Sequence, residues 1–177
     1  MKALKLLPAF LFFTFITVLV ACAEVKIGVT DANKVAEESV AFKNAIDKIN
    51  AKAEELDKNT IKIQKAFSKK YEDLNKQKNV LSVGEYNKKS DDLNKEVEKE
   101  NKIFYKQRVK LDQAYNEANE TLTKKIREII QKIAQESGIT IVFDKNLTVY
   151  SDVSIDITKD VVLEVNKQLK SIDVNLS

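Results

Sequence analysis

Between Ala41 and Ser137 the chain carries no proline and a single glycine, Gly84, and that glycine sits inside a helix-start signal. A stretch of this length without breakers has few folded options besides long helices. Apolar or near-apolar positions recur at three–four spacing through Phe42, Ile46, Ile49, Ala53, Leu56, Thr60, Ile63 and Phe67, which is the heptad-like pattern of one helix face. The phase shifts through Tyr71 and Leu74 to Leu81. There Ser82-Val83-Gly84-Glu85 fits a capping box, with Ser82 as N-cap, Glu85 at N3, and Leu81 and Tyr86 at the staple positions. The pattern resumes through Leu93, Val97, Phe104, Leu111, Ala118, Leu122, Ile126, Ile129 and Ile133, and Gly138 stands where a C′ glycine ends a helix.

Two helices, about Ala41–Leu81 and Ser82–Ser137, joined by a tight turn must lie antiparallel. At 1.5 Å per residue the first alone spans on the order of 60 Å. Each helix of a pair buries only one stripe, and seam positions such as Glu100 and Gln107 are polar. The expected arm is therefore slender and draws its stability mainly from its base.

The flanks read differently. Val25–Thr30 (VKIGVT) has strand character, and Thr30 or Asp31 can cap the helical turns that follow. After Gly138, residues 139–143 form a buried-strand run, Asp144-Lys145-Asn146 a turn, and Leu147–Tyr150 a second strand. Asp156 or Thr158 then caps a final amphipathic helix through Val161, Val162, Val165 and Leu169. The expected class is α+β: a long antiparallel helical hairpin, a coiled-coil-like tentacle over 41–137, projecting from a small β-sheet head with a C-terminal helix. The head is assigned to 24–40 and 138–177. Three short strands and one helix bury little apolar surface, so oligomerisation is the natural remedy.

The beginning of the chain reads as an export signal. Lys2 and Lys5 precede an apolar run, Leu6–Ala21, and Ala21-Cys22-Ala23 makes an A-x-A cleavage site. Residues 1–23 are read as a signal peptide, and the mature chain as starting at Glu24. A retained membrane anchor is the competing reading, although sixteen apolar residues are short for a span. Leu19-Val20-Ala21-Cys22 also resembles a lipobox, which would make Cys22 a lipidated first residue. A strand-like run begins at Val25, where a lipoprotein tether would be expected, so simple secretion is favoured.

Composition removes most chemistry. The chain has no His, one Cys and three Gly, so the commonest general base, metal ligand and nucleophile–base pairs are missing, as is any Gly-rich phosphate loop. Carboxylate pairs such as Asp91/Asp92 and Glu96/Glu100 lie in a Lys-rich helical segment with no desolvated pocket to raise one pKa. Asp152, Asp156 and Asp160 lack the spacing and glycine of an EF-hand loop. No catalytic residue, metal site or cofactor is expected. Outside residues 1–23 the charges nearly balance, 28 basic against 27 acidic, but unevenly. Segment 58–89 holds nine lysines against Glu72, Asp73 and Glu85, a net +6, whereas 111–177 is −3.

That basic segment is the one site-like feature. Lys69, Lys70, Lys88 and Lys89 are interleaved with Phe67, Tyr71 and Tyr86 near the turn. A solvated helical face is the plain reading of each lysine. Together they suit contact with acidic unfolded chains or with the phosphates of anionic lipid or lipopolysaccharide. Nucleic acid is not an expected partner of an exported chain.

Residues 138–146 (GITIVFDKN), 149–152 (VYSD) and 155–161 (IDITKDV) resemble the head of the Skp/OmpH-like periplasmic chaperones. The order of parts is also similar: signal peptide, opening strand VKIGV, charged hairpin, strand pair, Asp-Ile-Thr helix. The resemblance spans the mature chain, and its specific part is 138–166. It implies a homotrimeric "jellyfish", with three heads sharing a β-structured body and three hairpins round a cavity. It also implies an ATP-independent periplasmic holdase that binds unfolded outer-membrane proteins before insertion. The Asp-Ile-Thr stretch is read as a structural cap. The competing class is a structural or tethering coiled coil of the envelope, lipid-anchored through Cys22. The fold-back at Ser82 and the terminal head favour the chaperone class.

Overall fold

In the computed structural model, which describes residues 25–176, the arm is an insertion into a parallel β-α-β crossover. Strand β1 (Ile27–Thr30) pairs in parallel with β2 (Ile141–Asp144), Ile27 opposite Ile141 and Thr30 opposite Asp144. Parallel neighbours require a long connection. Here it consists of α1 (Ala32–Glu38), α2 (Val40–Lys76) and α3 (Val83–Ser137). The chain then continues from β2 to α4 (Thr158–Gln168). The fold is the expected α+β class: a helical hairpin on a head with a small sheet and a C-terminal helix. The expected leader 1–23, with Cys22, lies outside the described residues.

Each helix boundary has a local chemical cause. Asp31 caps α1 by accepting from Lys34 N at 3.0 Å, and this backbone bond leads in holding its carboxyl below the usual range. Ser39 both ends α1 and caps α2, its hydroxyl accepting from Phe42 N. The α1–α2 junction is held by Asn166 of α4, whose Oδ1 accepts from Val40 N at 2.9 Å and whose Nδ2 donates to Glu38 O at 3.0 Å. Ser82 and Glu85 form the full reciprocal capping box of α3. Gly138 ends α3 with φ +66°, a left-handed conformation that costs a side-chain-bearing residue about 1 kcal/mol or more. Lys26 Nζ donates to the α3 carbonyl of Ser137 at 2.8 Å, placing a cation at the negative end of the helix.

The core sits at the base of the arm. Val35 of α1, Ala41 and Ala45 of α2, Ala118, Leu122, Ile126 and Ile129 of α3, and Val161, Val162 and Val165 of α4 form one buried cluster with Ile157 and Ile172. Small residues on α2 facing larger ones on α3 let the helices approach closely where they leave the head. Gly28 permits similar closeness in β1, since a Cβ there would stand 3.2 Å from Ile139 Cδ1.

Three expectations need correction. Leu147–Tyr150 is not a strand. Asp144 accepts from Asn146 N and nucleates a single 3-10 turn over Lys145–Leu147, and Val149 and Tyr150 then stand open to solvent. The sheet among the described residues therefore has two strands, with only an isolated parallel bridge from Val29 to Asp156 on the far side of β1. The first arm helix stops at Lys76, short of Leu81, because Gln77–Leu81 form the reversing turn through Val80 N and Leu81 N bonds to Gln77 O. Thr158 is the first residue of α4 and not its cap. Nor is Asp156 the cap: Ile157 holds that position with no side-chain cap bond, and Asp156, one residue earlier, accepts from Thr158 N at 2.9 Å.

Candidate functional site: the arm and its tip

α2 and α3 contain 37 and 55 residues, about 56 and 83 Å at 1.5 Å per residue. Polar contacts across the hairpin set its register. Asp57 pairs with Arg108 and Lys70 with Glu96, while the Tyr71 hydroxyl donates to Asn94 Oδ1 at 2.7 Å. Nearer the turn, Tyr86 donates to Asn75 Oδ1 at 2.9 Å and Lys89 to Gln77 Oε1 at 3.0 Å.

Apolar sealing of the seam is discontinuous. α2 buries Ala41, Ala45, Ile49 and Leu56, and then nothing before Leu74; α3 buries Leu93, and then nothing before Ala114. Over 57–73 and 94–113 the apolar side chains are at best half-buried, among them Ile63, Phe67, Val97, Phe104 and Leu111. Ile61 and Ile103 are exposed. Each helix of a pair buries one stripe, and Glu100 and Gln107 fall where large apolar residues would close the seam. In this stretch lies an open recess of about 400 Å³, with Leu56, Ile103 and Leu111 among its lining residues and Lys52, Glu55, Lys106 and Lys110 around them.

The seven tip residues singled out in the sequence occupy one end of this surface. Lys69, Lys70, Lys88 and Lys89 are exposed, and Phe67, Tyr71 and Tyr86 are half-buried. The fold brings Lys70 over the Phe67 ring at 5.3 Å while it also pairs with Glu96. Tyr71 and Tyr86 use their hydroxyls to tie the two helices together. Glu85 is held below the usual carboxylate range by the Ser82 hydroxyl and then by the Ser82 N–H, which favour the ionised form that closes the capping box.

The sequence reading missed two further surfaces. One is the mid-arm recess, whose Leu56 and Leu111 were visible in the periodicity but whose openness depends on the pairing register. The other is on the head, where Ile27, Ile141, Phe143, Leu147, Val149, Tyr150, Val153 and Leu163 are all exposed. Single exposed apolar residues are ordinary; Ile27, Ile141 and Phe143 stand on the two-stranded sheet itself, and Leu147, Val149, Tyr150 and Val153 on the segment that follows it.

An Asp-Ile-Thr unit locks the head beneath this surface. Thr158 Oγ1 donates to Asp156 Oδ1 and accepts from Asp31 N at 2.9 Å, while Lys145 pairs with the other Asp156 oxygen. Burial pushes the Asp156 carboxyl up, but the bonds from Lys145 and Thr158 outweigh it and hold the pKa down to about 2. This network is a structural knot between β1, the segment before α4 and the 3-10 turn.

Fold and surface together define a class: an arm-and-head protein that offers long, partly unsealed helical surface instead of an enclosed site. The chain belongs to the OmpH-like outer membrane protein family, whose model matches residues 26–165. Among solved structures it is similar to a candidate outer membrane chaperone (OmpH-like) from Caulobacter crescentus CB15. The TM-score is 0.77 at 11% sequence identity, over 86% of this chain and 90% of the other. No curated protein matches it in sequence. At this identity the structural likeness establishes the fold.

Proposed function

We infer that the protein is an ATP-independent holdase of the periplasm, which keeps unfolded outer-membrane proteins from aggregating before they insert. Membership of the OmpH-like family supports a chaperone-type role. The observation that carries the finer reading is the unsealed seam over 57–73 and 94–113, where half-buried apolar side chains alternate with lysines along tens of ångströms of arm. Shallow, distributed contacts of this kind hold many sequences weakly and release them without nucleotide, whereas a deep pocket would select one ligand. Lys69, Lys70, Lys88 and Lys89 add long-range attraction for acidic chains or for lipid and lipopolysaccharide phosphate.

The working unit in this reading is a homotrimer joined through the heads. Ile141 and Phe143 on β2, with Val149 and Tyr150 beyond it, supply the apolar surface that neighbouring heads would cover. Export through the leader at 1–23, cleaved after Ala23, brings the chain to that compartment.

The test is light scattering of a urea-unfolded porin diluted into buffer without nucleotide. Suppression at a few-fold molar excess of the protein is expected, and its absence overturns the holdase reading. Sedimentation at micromolar concentration should give a trimer, and Phe143→Asp with Tyr150→Asp should shift it towards monomer.

A further inference from the structure

Residues 171–176 follow α4 without helix or strand and run back along the base of the arm. Their burial alternates strictly: Ile172 is buried and Val174 and Leu176 half-buried, while Ser171, Asp173 and Asn175 are exposed. Ile172 joins the main core, and its recess includes Ala41 and Ala45 of α2. Val174 and Asp173 share the next recess with Lys48 and Ala51. Leu176 reaches the open mid-arm recess of about 400 Å³ beside Leu56, Ile103 and Leu111. One extended segment with an apolar residue at every second position thus lies along the arm and ends in the unsealed seam.

We propose that this tail is a built-in pseudo-client: it fills the arm groove as an extended polypeptide of alternating apolar pattern does, and such client segments displace it. The occupant assigned to the groove is an unfolded strand of that pattern, which is the pattern of transmembrane β-strands. The ground for this assignment is that the groove already holds the sequence SIDVNL in that manner. An acidic residue at a polar position is accommodated, since Lys48 lines the recess with Asp173, as do Lys52 and Glu55, which pair with each other. One deep anchor and two shallow ones hold the tail loosely enough to exchange by local opening. The tail then sets the apparent affinity of the groove, because only tail-open molecules can bind. This regulation rests on the holdase reading for its biological meaning, although the exchange itself is measurable without it.

The experiment titrates full-length mature protein with a fluorescein-labelled peptide, KSIDVNLS, by anisotropy. A Val174→Asp/Leu176→Asp variant keeps Ile172 in the core while vacating the outer groove. If the tail is docked in nine molecules of ten, the variant should bind the peptide about tenfold more tightly than wild type. A permuted peptide with adjacent apolar residues should lose that gain, and Leu111→Asp in the variant background should abolish it. In wild-type protein, saturating peptide should speed amide exchange at 171–176, a readout that needs no variant to fold. Equal peptide affinity in wild type and variant, binding that survives Leu111→Asp, or exchange at 171–176 that ignores the peptide would overturn the proposal. The same two proteins in the porin assay separate the readings. Failure of both to suppress scattering removes the holdase function and leaves a displaceable tail standing; suppression by both without the peptide effects removes the tail mechanism alone.

Discussion

Tyr86 and Asn75 face each other across the reversing turn, the phenol donating to Asn75 Oδ1 at 2.9 Å. Tyr71 repeats the arrangement with Asn94 at 2.7 Å. Both lie beside Leu74 and Leu93, the buried residues of the outer arm, so side-chain hydrogen bonds add to a small patch of packing in aligning the tip. Exposed bonds of this kind are worth about 0.5–1 kcal/mol each. Tyr71→Phe with Tyr86→Phe should therefore speed amide exchange in the tip while leaving the thermal midpoint unchanged. A large drop in global stability would show that the tip is part of the cooperative core.

Stability should be concentrated at the base. Leu122 is 1% exposed within the main cluster, and Leu122→Ala should cost about 3 kcal/mol by the usual range for such truncations. Ile61, 52% exposed in the middle of the arm, should tolerate Ala within about 0.5 kcal/mol. Urea unfolding of both variants checks the contrast, and equal losses would refute it.

Asp156 should make the head acid-sensitive. Its folded pKa of about 2 lies below the 3.8 of an unperturbed aspartate, so its contribution is complete above the unfolded pKa. That contribution is lost as pH falls from about 4 through about 2. The shift corresponds to roughly 2 kcal/mol. Asp156→Asn should lower stability at pH 7 and flatten the stability profile between pH 4 and 2, as measured by urea titrations across that window.

The tip lysines should act on capture more than on holding. Replacing Lys69, Lys70, Lys88 and Lys89 by Gln should slow capture of an unfolded porin at low salt, and the difference should vanish as salt screens it. Apolar contact along the arm should survive both changes. Lys70 is paired with Glu96 and Lys89 with Gln77, so Lys69→Gln/Lys88→Gln should reproduce much of the effect. Equal stopped-flow capture rates for wild type and quadruple variant at low salt would remove the tips from the mechanism.

Much of the architecture was legible because it is locally coded. A capping box acts over three residues, so Ser82 and Glu85 announced the start of α3, and Gly138 its end, without reference to any other part of the chain. For α1 the sequence offered Thr30 or Asp31 as cap, and Asp31 is the one used. Period-3.6 spacing identified Ile49, Leu56, Leu122, Ile126 and Ile129, but at the base of α2 it pointed to Phe42 and Ile46, whereas Ala41 and Ala45 are the buried residues because the close approach of α3 there favours small side chains. Polar Glu100 and Gln107 announced the weak middle. The lysines and aromatics near the turn were visible as composition, but their pairing was not.

What tertiary structure alone decided are relations between residues far apart in the chain. Leu147–Tyr150 has strand composition, yet no strand among the described residues pairs with it, and the local Asp144–Asn146 turn prevails. The parallel pairing of β1 with β2, the clasp of Asn166 on Val40 and Glu38, and the seating of Ile172 against the arm each join residues more than a hundred positions apart. Their placement follows from how the helices pack at the base. Sequence settles which residues prefer helix, strand or cap, because those preferences are short-range; which surfaces are covered and which stay open is settled only when distant segments compete for the same apolar groove.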